Sequence, residues 1–332
     1  MTDPSPSRSN RRIWTTLLQI AVSAGLLIWL LSRIGLREVA RQLAGMHMGW
    51  FGLAVALFLL SVGVRAARWR TLLTPLGIHA SLWDLTRLYL LGFFWNSFLP
   101  TGFGGDVAKV IALGRMSGQG AESTSSVIAE RAVGLFGTTL IGLSVLLIWP
   151  GLVPPPIFIA VAGVGAALLV GAWFVTLDVP RWLGEHLPFT RPVVEHPKLT
   201  AFHEALRGYA PRTLLLALAA SIPFTICLIF TNYFIGVALG VIVPPRYYAI
   251  FTPVVSIVNL LPLSFNGLGV REYMYDLLFT PVGVASTQAV TMALAFNLLR
   301  IGTGLLGGAL SVATGTRHLL QSPRAKQKGV EN

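Results

Sequence analysis

Apolar positions in this chain come in runs that are too long for a soluble protein. Residues 13–32, 49–64 and 157–177 carry no charged side chain, and 213–243 extends that to 31 residues. An uninterrupted apolar stretch of about 18 residues or more is long enough to cross the hydrocarbon core as a helix. The pattern predicts spans at about 13–32, 49–66, 123–149, 156–177, 212–242 and 286–313. Two further segments, about 83–117 and 247–280, are apolar but broken by Pro and Gly. Each reads as a helix, a break and a second helix, and either could be a re-entrant hairpin or a pair of true spans. The fold class is therefore all-α and polytopic, with about six to eight transmembrane helices.

The order of segments repeats. Residues 13–149 give span, span, broken segment, span, and residues 156–313 give the same again. The tail 1–12 precedes the first half, a short external connection (150–155) joins the halves, and the tail 314–332 ends the chain. Short sequences support the match. Asn96 opens "NSFLP" before the first break and Asn259 opens "NLLP" before the second. A Gly-rich turn and an acid/base pair follow each break. If the broken segments are re-entrant, each half crosses the membrane three times and the second half is inverted, a recurring transporter architecture.

Charge placement fits this topology. With the N-terminus in the cytoplasm, 16 of the 25 Lys and Arg fall in cytoplasmic segments and four fall outside. That bias is the one the positive-inside rule expects. It makes both tails and the loop 178–211 cytoplasmic, with one surface helix expected near 198–209. A bacterial-type inner membrane is the expected location. The segment 33–48 is the misfit and reads as a short interfacial helix. Arg65, Arg68 and Arg70 in "RAARWR" read as an interfacial group anchored by Trp69, placed to gather anionic headgroups at the inner leaflet.

Composition then removes whole classes of function. The formal charge of +12 is spread between apolar runs, so no basic domain is available for nucleic acid. Cys227 is the only cysteine and lies in an apolar run, which leaves neither a disulfide nor a cysteine metal site. The six His lie outside the clear spans in no ligand spacing, so no metal site is expected. "GFGGDVAK" lacks P-loop spacing and "GLGVRE" follows no strand, so no nucleotide site or other cofactor is expected.

The chemistry concentrates at the two breaks. Non-helical backbone at membrane depth survives only inside protein or along a polar cavity. "PTGFGG" and "PLSFNGLG" therefore predict a cavity, with half-helix N-termini pointing N–H groups at it. Thr101, Ser264 and Asn266 are candidate caps. Gly104, Gly105, Gly267 and Gly269 would let the backbone turn there. Asp106 and Lys109 are three residues apart, on one helix face and able to pair. Glu130 and Arg131 lie in the closing span of the first half, Arg271 and Glu272 follow the second break, and Arg300 lies in the last span. Charged groups at membrane depth are costly and usually functional. Three acids against four bases leave one positive charge, and Arg271 or Arg300 is expected to meet a substrate phosphate. The alternative is structural: Asp106 with Lys109, and Glu130 and Glu272 each with an Arg, would only pin helices together. For the Gly-rich run 302–308, close helix packing is the expected role.

The chain also resembles the flippase-like transmembrane region of the lysylphosphatidylglycerol synthase family. "RAARWRTLL", "NSFLPTGFGGDVAKVIALGR", "VIAERAVGL", "LPLSFNGLGVREYMYDLL" and "LLRIGTGLLGG" carry the resemblance, which covers about 15–313. It implies a membrane protein that moves lipids or lipid-linked headgroups between leaflets, beside enzymes of lipid synthesis. The matching motif positions are Asn96, Pro100, Gly104, Gly105, Asp106, Lys109, Glu130, Arg131, Pro262, Gly267, Gly269, Arg271 and Glu272. The resemblance does not reach the aminoacyl-transferase domain of fused members, so no enzymatic activity is expected. A soluble-anion transporter, an enzyme acting on a lipid phosphate, and a non-transporting partner in a lipid-synthesis complex are the rival expectations. With no ATP site, movement would be downhill or ion-coupled, and protonation of Asp106, Glu130 or Glu272 is the candidate coupling.

Overall fold

The computed structural model describes residues 8–98, 104–156, 158–159, 162–167, 208–259, 264 and 267–313. The expected surface helix near 198–209 and most of the span 156–177 lie outside them. Within the described residues the chain is helical, with no strand. The helices are α1 (Arg8–Ile34), α2 (Leu36–Ala44), α3 (Met48–Leu73), α4 (Leu82–Phe98), α5 (Gly104–Ser117) and α6 (Gly120–Ile148). After the second-half loop come α7 (Pro211–Ala238), α8 (Pro245–Val258), α9 (Val270–Phe279) and α10 (Ser286–Ala313). Four of these, α3 with the turn after it, α6, α7 and α10, are long and apolar enough to cross a membrane. The pair α1–α2, bent by 81°, gives a fifth candidate. The protein is thus an all-α multi-pass membrane protein.

The broken segments form as helix, break, helix: α4 and α5 flank residues 99–103, and α8 and α9 flank 259–269. The individual helices there have 17, 14, 14 and 10 residues. Each is short of a full span at 1.5 Å per residue. The segment 33–48, expected to hold a short interfacial helix, holds α2, turned away from α1 at Gly35, whose φ of 82° only glycine adopts without strain.

Packing follows a two-fold pattern. α3 packs along α7, each holding the second span expected in its half. Around that pair, α4 packs on α10 as α6 packs on α8, and α5 packs on α6 as α9 packs on α10. The run 302–308 takes the expected packing role. Gly304 and Gly307 lie against the α4 backbone at Phe93 and Leu90, and Gly308 lies on the Phe94 ring. Hydroxyls within the helices bond back to the preceding turn, as with Thr225 to the Ser221 carbonyl (2.9 Å) and Ser311 to that of Gly307 (2.8 Å). In an apolar surround this satisfies groups that water would otherwise serve.

Candidate functional site

The breaks meet at a cavity of about 340 Å³, at the lower end of the range for ligand pockets (about 300–1,000 Å³). Its walls include Asn96, Gly105, Asp106, Lys109, Glu130 and Arg131 from the first half. Asn259, Ser264, Gly267, Arg271 and Arg300 line it from the second. Most of the residues expected from sequence therefore converge, although up to about 200 positions separate them. Gly104, Gly269 and Glu272 stand just behind the wall, and Thr101 and Asn266 lie outside the described residues.

The first-half wall is a connected ion network. Lys109 Nζ lies 2.9 Å from Asp106 Oδ1 and 3.9 Å from Glu130 Oε2. Asp106 also pairs with Arg131, and Glu130 pairs with Arg68. Arg68 donates a second hydrogen bond to Ser221 Oγ of α7 at 3.0 Å. Arg68, Lys109 and Glu130 are 1%, 3% and 2% exposed. Removing any one of them would strand the others in a medium that solvates charge poorly. The Lys109 ammonium also sits 4.5 Å above the Tyr89 ring, a favourable cation–π geometry.

Here the sequence reading needs correction. "RAARWR" is not one interfacial group. α3 continues to Leu73, and its period puts Arg65, Arg68 and Trp69 on the inward face while Arg70 is exposed. Arg65 lines the cavity, its guanidinium carbon 4.8 Å from the Tyr89 ring and 5.2 Å from that of Phe224. Trp69 is fully buried and donates to Ser126 Oγ at 3.1 Å. It is a core residue joining α3 to α6 and not a headgroup anchor. With Arg65 and Arg68 included, six basic groups face three acidic ones, so the surplus is larger than the single charge expected from sequence.

Two caps not expected from sequence are seen among the described residues. Gly105 N–H donates to Asn96 Oδ1 at 2.7 Å, so a side chain from before the first break caps the helix after it. On α9, Gly269 at φ 79° is the N-cap, and its N–H donates to Glu272 Oε2 at 2.6 Å. Ser264 lines the cavity, and no side-chain hydroxyl caps α9. The Glu272 carboxylate receives its other hydrogen bond from Asn297 Nδ2 at 2.5 Å, and it forms no ion pair among the described residues. The expected Glu272–Arg pair is therefore not made, because the acid at the third helical position folds back onto the helix end.

That leaves Arg271 in a different condition from Lys109. It is 8% exposed, its guanidinium carbon lies 4.7 Å from the Phe296 ring, and its Nε and Nη1 have no hydrogen-bond partner among the described residues. Both polar atoms of the Asn259 side chain lack partners as well. The neighbouring Tyr275 hydroxyl donates to Asn232 Oδ1 of α7. Sequence reasoning missed Asn232 and Tyr275, since single polar residues in apolar helices carry no pattern. A buried guanidinium with unused N–H groups, next to an unused amide, can accept an oxyanion.

A multi-pass α-helical membrane protein with a buried, cation-rich cavity between two broken helical segments is the class these features define. The chain belongs to the lysylphosphatidylglycerol synthase TM region family, whose signature matches residues 16–308. It is similar to the UPF0104 membrane protein PH1989 of Pyrococcus horikoshii, at 22% identity over 334 residues, covering 92% of this chain and 98% of the relative. No solved structure matches the chain.

Proposed function

We propose that this protein is a lipid transporter of the flippase type, which carries a phosphate-containing headgroup through the central cavity between leaflets. One observation carries the reading: Arg271 lines the cavity where the two broken segments meet, is buried, and has N–H groups without a partner among the described residues. Six basic groups around a low-dielectric cavity, against three acids, attract an anion, and in a membrane the abundant anions are lipid phosphates. The paired packing of the two halves about α3 and α7 supports an inverted repeat, which suits alternating access by rocking one half against the other. In this reading both termini are cytoplasmic, the membrane is the inner one, and the chain works without catalysing a covalent step, beside enzymes of lipid synthesis.

The test is lipid mass spectrometry on purified wild type and on an Arg271→Ala/Asp106→Ala double variant, followed by a vesicle assay of leaflet exchange with a fluorescent form of the retained lipid. A phospholipid class enriched on wild type, lost from the variant and exchanged in vesicles is the expected result. Identical bulk lipids on both preparations would overturn the proposal in favour of a soluble anion or a non-transporting partner.

A further inference from the structure

We infer that the headgroup is at least doubly charged on phosphate, as in a phosphate monoester or a diphosphate, and is not a singly charged phosphodiester. The inference rests on the lipid-transport reading of the same cavity and adds the substrate's charge class.

The argument is a charge balance. Among the described residues, Arg65, Arg68, Lys109, Arg131, Arg271 and Arg300 line the cavity, with Asp106 and Glu130 the acids beside them there. Glu272, one residue from Arg271, counts as a third acid although its oxygens are engaged by Gly269 and Asn297. The described groups thus carry three surplus positive charges if all are ionised. A net buried charge is costly even after relaxation, so a ligand is favoured by how much of the surplus it cancels. A phosphodiester, with one charge, leaves two. A monoester, whose second ionisation falls near pH 6, cancels about two, and a diphosphate about three.

Placement agrees with the count. The first-half wall already pairs both of its carboxylates internally. Among the described residues, Arg65 in the first half has a buried Nε without a partner, and Arg271 in the second half has a buried Nε and Nη1 without partners. Both guanidinium groups lie over aromatic rings, which help hold their planes. A phosphate with three terminal oxygens, or two linked phosphates, can engage donors from both halves at once. A diester has only two unesterified oxygens for the same set.

The experiment measures binding to the full-length protein in detergent, by ligand-induced thermal stabilisation. The probes are dioctanoyl phosphatidic acid, farnesyl diphosphate, dioctanoyl phosphatidylglycerol and inorganic diphosphate. At pH 8 the monoester and diphosphate lipids are expected to bind at least tenfold more tightly than phosphatidylglycerol. The advantage of phosphatidic acid should shrink several-fold at pH 5, where its second proton returns. Asn259→Asp adds one carboxylate beside Arg271 with almost no change of shape, and should weaken the doubly charged probes more than phosphatidylglycerol. Because it is nearly isosteric, it remains informative if Arg271→Ala fails to fold.

Equal affinity for phosphatidylglycerol and phosphatidic acid at pH 8, both weakened by the cavity variant, overturns this inference and leaves the lipid-transport reading standing. Binding of inorganic diphosphate with no lipid probe bound does the reverse: it supports the charge balance and overturns the lipid. No stabilisation by any probe overturns both.

Discussion

The amide oxygen of Asn96, at the end of α4, accepts the backbone N–H of Gly105, at the start of α5, across a break in the helix. One side chain thus closes a helix end that the missing turn would have left open. It also holds two half-helices at a fixed angle where the cavity needs them. Across the second break, Asn259 lies against Gly267 in a corresponding position, but its own polar atoms have no partner among the described residues.

Replacing Asn96 with Leu should therefore cost about 1–3 kcal/mol by leaving the Gly105 N–H unsatisfied. Gly105→Ala should cost a similar amount by overpacking, because a methyl there meets the Gly92 carbonyl and the Asn96 side chain. Thermal unfolding of the purified variants reads both. A Gly105→Ala protein as stable as wild type would mean that the two half-helices adjust freely.

Glu130 joins Arg68 and Lys109, so Glu130→Gln is expected to destabilise by about 3–5 kcal/mol, the usual cost of breaking a buried pair by removing one partner. Removing both ends together, as Arg68→Met/Glu130→Leu, should recover part of that loss. A double variant no more stable than the single one would show that Lys109 and Ser221 depend on the pair as well.

Arg65 and Arg70 stand five residues apart in one basic motif and should behave oppositely. Arg65→Ala is expected to lower lipid-phosphate binding at least tenfold, since its guanidinium lines the cavity. Arg70→Ala should leave binding within twofold of wild type, because Arg70 is exposed. Titrations of both variants with the same phosphate probe make the comparison, and equal losses would return the motif to the membrane surface.

Gly307 lets α10 lie directly on the Leu90 carbonyl of α4. Gly307→Leu should force the helices apart, at about 1–3 kcal/mol or more. Gly302→Leu, where a side chain meets open space, should be tolerated. Size-exclusion profiles and unfolding midpoints separate the two.

Much of this arrangement is legible in the sequence because membrane-depth Pro, Gly and charge are conspicuous against apolar runs. The breaks at 99–103 and 259–269 followed from that contrast, and the Asp106–Lys109 pair followed from helical spacing alone. Arg68 was harder to place. The uncharged run 49–64 stops at Arg65, which suggests the membrane surface, yet α3 carries on to Leu73 and turns Arg65 and Arg68 inward. The signal was present as inward spacing at 65, 68, 69 and 72, but charge at the end of an apolar run outweighed it. The fate of Glu272 could not be read locally. Its carboxylate is claimed by a helix end created by the positive φ of Gly269 and by Asn297, 25 residues further on. Nothing in "GVRE" distinguishes that from a simple Arg–Glu pair.

The commitment of Glu272 to Gly269 and Asn297 has a consequence for the resting protein. The residue next to Arg271 cannot form a direct ion pair with it without uncapping α9, so before a headgroup binds exchangeable counterions balance the remaining charge. Those ions come from whichever aqueous phase the cavity faces, and a headgroup enters by displacing them. Affinity should therefore depend on the identity of the bulk anion as well as its concentration, with sulfate or phosphate competing more strongly than chloride.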